Sequence, residues 1–255
     1  MLNYPESKKR RKVQNSTGPK ENYGLASTLP EEMPDISERQ IAFLGSLRLS
    51  SDERDRIHKS TTDQTLNQTW KVERLKRLTS SMFGSVCKMK QSTSCAKKVI
   101  QVLSSNFSAT QYGVEKEPLA LVQERCNMKV TPTGLFIDED KPYLAATPDG
   151  LVGEHGLVEI KCSYSVVKMS PAEGIASGRD KYCGQLHITR RKFYIFALWS
   201  PKGTLTQTIE KDDSFWNYSM ESKLEKFYME CILSEIIETR YPRGLTIKEP
   251  NRVFN

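Results

Sequence analysis

The segment from Thr147 to Cys162 constrains this chain more than any other. Thr147-Pro148-Asp149-Gly150-Leu151 reads as a turn, because Pro presets φ and Asp-Gly accepts a tight backbone. Gly153 to Gly156 supply a second turn. Leu157-Val158-Glu159-Ile160-Lys161-Cys162 then reads as a strand with alternating faces. Residues two apart on a strand share a face, so Glu159 and Lys161 lie together and Ile160 lies opposite, toward a core. The hairpin so formed brings the Asp149 turn beside the strand that carries Glu159, and two carboxylates converge on a lysine.

Helical patterns surround this hairpin. From Thr62 onward Trp70, Arg74, Arg77 and Leu78 recur at spacings of three and four, which predicts a helix. Thr79-Ser80-Ser81 offers an N-cap for a second, short helix carrying Met82, Phe83 and Val86. Residues 91–111 are polar and loop-like, apart from a short helix around Val99 to Leu103. A stronger helix is expected from Tyr112 to Cys126, with Pro118 tolerated only near its first turn. Strand-like runs follow at Val130, Thr133 to Ile137 and Tyr143 to Ala146. A helix at 180–189, strands at 192–199 and 203–209, and an amphipathic helix at 213–237 complete the pattern. The last would bury Phe215, Trp216, Leu224, Phe227, Tyr228, Ile232 and Ile236. The fold class is therefore α/β (α+β), a central mixed sheet flanked by helices. Residues 1–50 lack a sustained apolar period and are expected to be a disordered tail. The folded domain is expected over 62–240, and 241–255 reads as a C-terminal tail.

Bulk properties narrow the partners. The 255 residues include 38 basic and 31 acidic side chains, a net charge of +7. Such an excess favours a polyanion, nucleic acid before membrane surface. Part of it lies in Lys8-Lys9-Arg10-Arg11-Lys12, followed by Val13, which reads as a nuclear import signal; the ordinary alternative is a solvated basic tail. Cys87, Cys95, Cys126, Cys162, Cys183 and Cys231 are scattered without a Cys-x-x-Cys pair, so neither a zinc site nor a disulfide framework is expected. A reducing compartment follows, nuclear or otherwise intracellular. The richest apolar stretch, Phe193 to Trp199, is strand-sized, and no membrane span is expected. His58, His155 and His187 share no ligand spacing. His155 should face solvent and His187 should be packed. No phosphate-cradling Gly-x-x-x-x-Gly-Lys-Ser/Thr is present, which excludes ATP hydrolysis of that kind.

Two convergent carboxylates provide hard oxygen ligands, which suit Mg2+ with Mn2+ as a substitute. The backbone carbonyl of Ile160 could add a ligand. A lysine alongside can orient a water or neutralise charge developing on a phosphate. Each half of the pattern also has an ordinary explanation. Asp-Gly is a common turn, and Glu-x-Lys is a common exposed strand pair.

The combination resembles the PD-(D/E)xK nuclease superfamily, and within it the YqaJ viral-recombinase family that includes phage lambda exonuclease. Other stretches carry the same likeness in order. Trp70-Lys71-Val72-Glu73-Arg74 with Leu78-Thr79-Ser80-Ser81 resembles the family's N-terminal motif. Tyr112 to Pro118 resembles the helix start that bears an additional glutamate. Gly184 to Thr189, leading to Phe193 to Pro201, and Asp213-Ser214-Phe215-Trp216 resemble the regions after the active-site strand. The resemblance implies a restriction-endonuclease-like core and a Mg2+-dependent exonuclease on DNA, 5′ to 3′ from duplex ends, serving recombination or mobile elements. It implies Glu117, Asp149 and Glu159 as metal ligands with the Ile160 carbonyl, and Lys161 as an aid to the nucleophile. Arg74 and Ser81 would grip the 5′ phosphate, and family members form ring trimers. The ordinary readings are a helix-surface salt bridge for Arg74, an N-cap for Ser81 and a first-turn glutamate for Glu117. One departure stands out. Where the family carries Gln-x-Gln, this chain has Lys181 and Cys183, and only Gln185 could position water, by a shift of register. A catalytically inactive DNA-binding module and an endonuclease on the same scaffold are the alternatives.

Overall fold

The hairpin predicted around Asp149 and Glu159 sits in the middle of a five-stranded sheet. The computed structural model describes residues 35–90, 92–104, 129–161, 171–200 and 203–249. The expected helix at Tyr112–Cys126, with Glu117, lies outside the described residues. So do the basic run Lys8 to Lys12 and the cysteines Cys126 and Cys162.

In chain order the elements begin with α1 (Ile36–Ser46), α2 (Ser51–Ser60), a 3-10 turn Gln64–Leu66, α3 (Gln68–Leu75), β1 (Leu78–Thr79), α4 (Ser80–Cys87) and α5 (Ala96–Leu103). Next come β2 (Val130–Thr131), β3 (Phe136–Ile137), β4 (Leu144–Ala146), β5 (Gly150–Val152), β6 (Gly156–Lys161), α6 (Pro171–Ile188), β7 (Phe193–Ser200) and β8 (Gly203–Glu210). A final helical run comprises α7 (Asp213–Phe215), α8 (Glu221–Phe227) and α9 (Leu233–Ile237), joined by π-helical turns Trp216–Met220 and Tyr228–Ile232.

The strands form two sheets rather than one. The larger has the order β2-β5-β6-β7-β8 and the smaller β1-β4-β3. β6 and β7 are parallel, in register from Gly156 opposite Phe193 to Lys161 opposite Leu198. Parallel neighbours require a crossover, and α6 provides it. Gly153 turns β5 into β6 with φ +55, in the region where a side chain is disfavoured.

Alternation along β6 separates two environments. Leu157 joins the main core with Tyr194 and Phe196. Val158 and the partly buried Ile160 join Val130, Val152, Ile195 and Ala197 on the opposite face. Glu159 shares the Leu157 face by parity and is 3% exposed. α6 covers that face and packs against α4. At Gly184 an added Cβ would lie 2.3 Å from a Phe83 ring carbon, so glycine lets the two helices approach.

Several boundaries differ from the expectation. Residues 36–46, placed by pattern in the tail, form α1. Asp35 caps it by accepting from Ser37 N at 3.2 Å, Arg39 donates to the Ile237 carbonyl, and Leu47 is buried. α2 is likewise an element that apolar periodicity did not announce; a Ser50/Glu53 capping box starts it. The segment expected as a C-terminal tail packs back over its described part. Ile247 is buried, and Glu249 accepts from Cys95 N at 3.0 Å. α6 begins at Pro171 rather than 180. In the C-terminal run Trp216, Leu224, Phe227, Tyr228 and Ile232 are buried as predicted, while Phe215 and Ile236 are only partly so. No helix among the described residues is long and apolar enough to cross a membrane.

Candidate functional site

The site forms where β5, β6, α3, α4 and α6 meet. Asp149 stands just before β5, whose ladder to β6 starts at Gly150 opposite Val158. Its Oδ2 takes up the next strand donor, accepting from Ile160 N at 2.7 Å. That bond locks the Asp149 carboxylate against the strand carrying Glu159. Convergence of the two acids therefore follows from one backbone-to-carboxylate bond at the mouth of the hairpin.

Two residues of α6, one helical turn apart, reach the Glu159 carboxylate. Lys181 forms an ion pair with Oε1. Gln185 Nε2 donates to Oε2 at 3.4 Å and to the Thr147 carbonyl at 3.3 Å. A carboxylate this deeply buried needs such partners, because desolvation without compensation is costly. Gln185 is itself fully buried, and its Oε1 has no hydrogen-bond partner among the described residues. An orphaned buried amide oxygen on the residue that contacts the Glu159 carboxylate is an acceptor that no described residue satisfies.

Thr147 links this carboxylate cluster to a cationic one. Its hydroxyl accepts from Trp70 Nε1 at 3.2 Å and from Arg74 Nη1 at 3.3 Å. Arg74 stacks on Trp70 with its guanidinium carbon 4.2 Å from the ring centroid. Its Nη2 lies 3.5 Å from Ser81 Oγ, which in turn lies 3.0 Å from Thr79 Oγ1. Burial pushes the guanidinium down to about 10. Arg74 is thus partly stripped of water among hydroxyls, an environment that favours an arriving anion. Ser81 is exposed. It does not cap its helix: α4 is capped from Thr79, without a side-chain hydrogen bond. Lys181 feels both clusters. Burial pushes it below an ordinary lysine, the nearby Asp149 opposes that shift, and Arg74 adds to it.

The predicted residues divide accordingly. Asp149, Glu159, Ile160, Gln185, Arg74 and Ser81 come together. Glu117 lies outside the described residues. Lys161 closes β6 with its backbone, and its side chain lies outside the described part. Among the described residues no group of three His, Cys, Asp or Glu side chains could hold a metal ion. The donors present (two carboxylates, the Ile160 backbone and the orphaned Gln185 oxygen) are all hard oxygens and fit Mg2+ or Mn2+. Two contributors, Thr147 and Lys181, have no role that local sequence pattern reveals. The sequence marks Thr147 only as part of a turn, though its place two residues before Asp149 is a signal. Lys181 stands out in the sequence only as a departure from the family's Gln-x-Gln. The histidines play no part in this cluster. His155 is exposed, and His187 stacks on Trp216 at 4.0 Å. His58 bonds Thr133 Oγ1 at 2.6 Å.

Residues 69–189 match the YqaJ-like viral recombinase domain family. The fold is similar to the crystal structure of an alkaline exonuclease, LHK-Exo, from Laribacter hongkongensis. That match has a TM-score of 0.54 at 23% identity and covers 68% of this chain and 95% of the other. LHK-Exo in complex with dAMP matches with the same TM-score of 0.54, the same shares of 68% and 95%, and 22% identity. No curated protein matches the sequence. The chain thus carries a YqaJ-like segment on a restriction-endonuclease-like fold of mixed sheets flanked by helices.

Proposed function

We propose that this YqaJ-like chain is a metal-dependent deoxyribonuclease, an exonuclease that degrades DNA 5′ to 3′ from duplex ends. The observation that carries the reading is the Thr147 bridge, which joins a paired-carboxylate site to an arginine-hydroxyl site on one short turn. A 5′-phosphorylated end held by Arg74 and Ser81 would present its scissile bond toward Asp149 and Glu159. The likeness to a protein described as an alkaline exonuclease, one solved with the deoxynucleotide dAMP, supports the same substrate class.

Each residue then has a physical task. Asp149, Glu159 and the Ile160 carbonyl would hold a divalent ion, Mg2+ or in its place Mn2+, together with Glu117, which the family resemblance adds. That ion would supply Lewis acidity and charge neutralisation at the phosphate. Gln185 Oε1 would accept a hydrogen bond from the attacking water and orient it. Lys161, two residues beyond Glu159, would neutralise charge as it develops. Arg74 suits a terminal phosphate because its planar fork makes paired, charge-assisted bonds. The same reading carries a role in recombination, a ring trimer and nuclear import through Lys8 to Lys12. The family resemblance supports the first two and the basic run the third.

The Lys181–Glu159 ion pair favours a second reading, an inactive DNA-binding module, because it fills part of the carboxylate site with the protein's own cation. End-labelled linear duplex separates the two. With magnesium, loss of the 5′ strand is expected from the native protein and from neither a Lys161→Ala variant nor an EDTA control. DNA that is bound but stays intact with magnesium or manganese would establish the inactive module instead.

A further inference from the structure

The ammonium of Lys181 stands where a cation is required. It contacts Glu159 Oε1 from α6, on a side chain 27% exposed, against a carboxylate whose side chain is 4% exposed. Gln185, one turn later, occupies the other oxygen of Glu159. Both oxygens of the most buried acid in the site are therefore engaged by one helix. Close packing at Gly184 against Phe83 holds that helix in place. The Asp149 carboxylate is separately tied to Ile160 N. A divalent ion entering this site must share or displace the charge that Lys181 already provides.

We propose that Lys181 is a built-in counter-cation that competes with the divalent ion for Glu159 and so sets the metal concentration the protein requires. The inference rests on the metal-dependent reading above. Its consequence is opposite to that of an ordinary structural lysine. Removing a cation beside a metal position relieves like-charge repulsion and removes a competitor for Glu159, so metal binding should strengthen. Removing a lysine that merely oriented Glu159 would weaken it.

The test is Mn2+ binding to the full chain without DNA, followed by the loss of the free-ion electron paramagnetic resonance signal. The proteins are native, Lys181→Met, Lys181→Gln and Glu159→Gln, each checked by thermal melting. Lys181→Met keeps the length of the stem without charge, and Lys181→Gln keeps a polar end. Both are expected to bind Mn2+ at least about tenfold more tightly than the native protein. Glu159→Gln is expected to lose binding. Equal or weaker Mn2+ affinity in both folded Lys181 variants, with native binding intact, would overturn the competition while leaving the metal site standing. Failure of native protein and both Lys181 variants to bind Mn2+ would overturn the metal reading itself, and the inference with it.

Discussion

Replacing Gly184 with alanine tests whether helix approach, rather than the hairpin alone, builds the site. The new Cβ would sit 2.3 Å from Phe83 Cδ2 and 2.5 Å from Cε2. Ordinary carbon contacts lie near 3.5–4.0 Å, so ring and helix must part by roughly 1.2–1.7 Å. Phe83 is fully buried and its ring lies 6.1 Å from that of Trp216, so rotating it away meets resistance. Overpacking costs about 1–3 kcal/mol, and a clash this deep against a fully buried ring falls in the upper part of that range, about 2–3 kcal/mol. The gain in helix propensity from Gly to Ala, roughly 1 kcal/mol, offsets part of it. A net loss of about 1–2 kcal/mol is expected, which lowers the melting temperature by roughly 2–8 °C for a domain of this size. Gly184 adjoins Gln185 and lies three residues from Lys181, so the shift should also loosen both contacts to Glu159. Urea unfolding followed by circular dichroism measures the first effect. A Phe83→Leu second substitution, which makes room, should recover part of the loss in a double-mutant cycle. If Gly184→Ala is as stable as the native protein, or if the two substitutions are simply additive, the close-approach argument fails.

Other outcomes follow from the same geometry. Arg74→Lys should reduce the preference for 5′-phosphorylated over 5′-hydroxyl duplex ends by roughly tenfold or more, since a point charge cannot reproduce the guanidinium fork; an unchanged ratio in competition binding would remove Arg74 from end recognition. Burial first, with Arg190 and Lys211 adding to it, pushes His187 down to about 4 from 6.5. The unfolded chain therefore takes up a proton that the folded one refuses. The stabilisation is complete above pH 6.5 and falls by on the order of 1–3 kcal/mol as pH drops toward 4. His187→Phe, which keeps the stack on Trp216, should flatten that slope in denaturant titrations at pH 7, 5.5 and 4.5; an unaltered slope would assign it to other groups.

Much of this protein was determined by sequence alone, because the relevant forces are local. Alternation in Leu157 to Lys161 specifies a strand with two unlike faces. Asp-Gly specifies the turn, and the order of motifs from Trp70 to Thr189 pointed to the YqaJ-like segment that the family match then covered. Local pattern failed where stability comes from distant partners. α1 lacks a fully buried residue of its own and is held by contacts such as Arg39 to the Ile237 carbonyl. Residues 241–249 look like a tail until Glu249 meets Cys95. The candidate site shows the same division. Asp149 and Glu159 were legible because a hairpin of a few residues brings them together. The bridge at Thr147, the orphaned oxygen of Gln185 and the ion pair of Lys181 were not. They depend on how α6 is seated over the site, and its approach to α4 is set by a glycine on one helix meeting a phenylalanine on the other. Periodicity along a chain reports which face of an element is buried, but not which side chains from elsewhere will cover it. Only tertiary packing decides that.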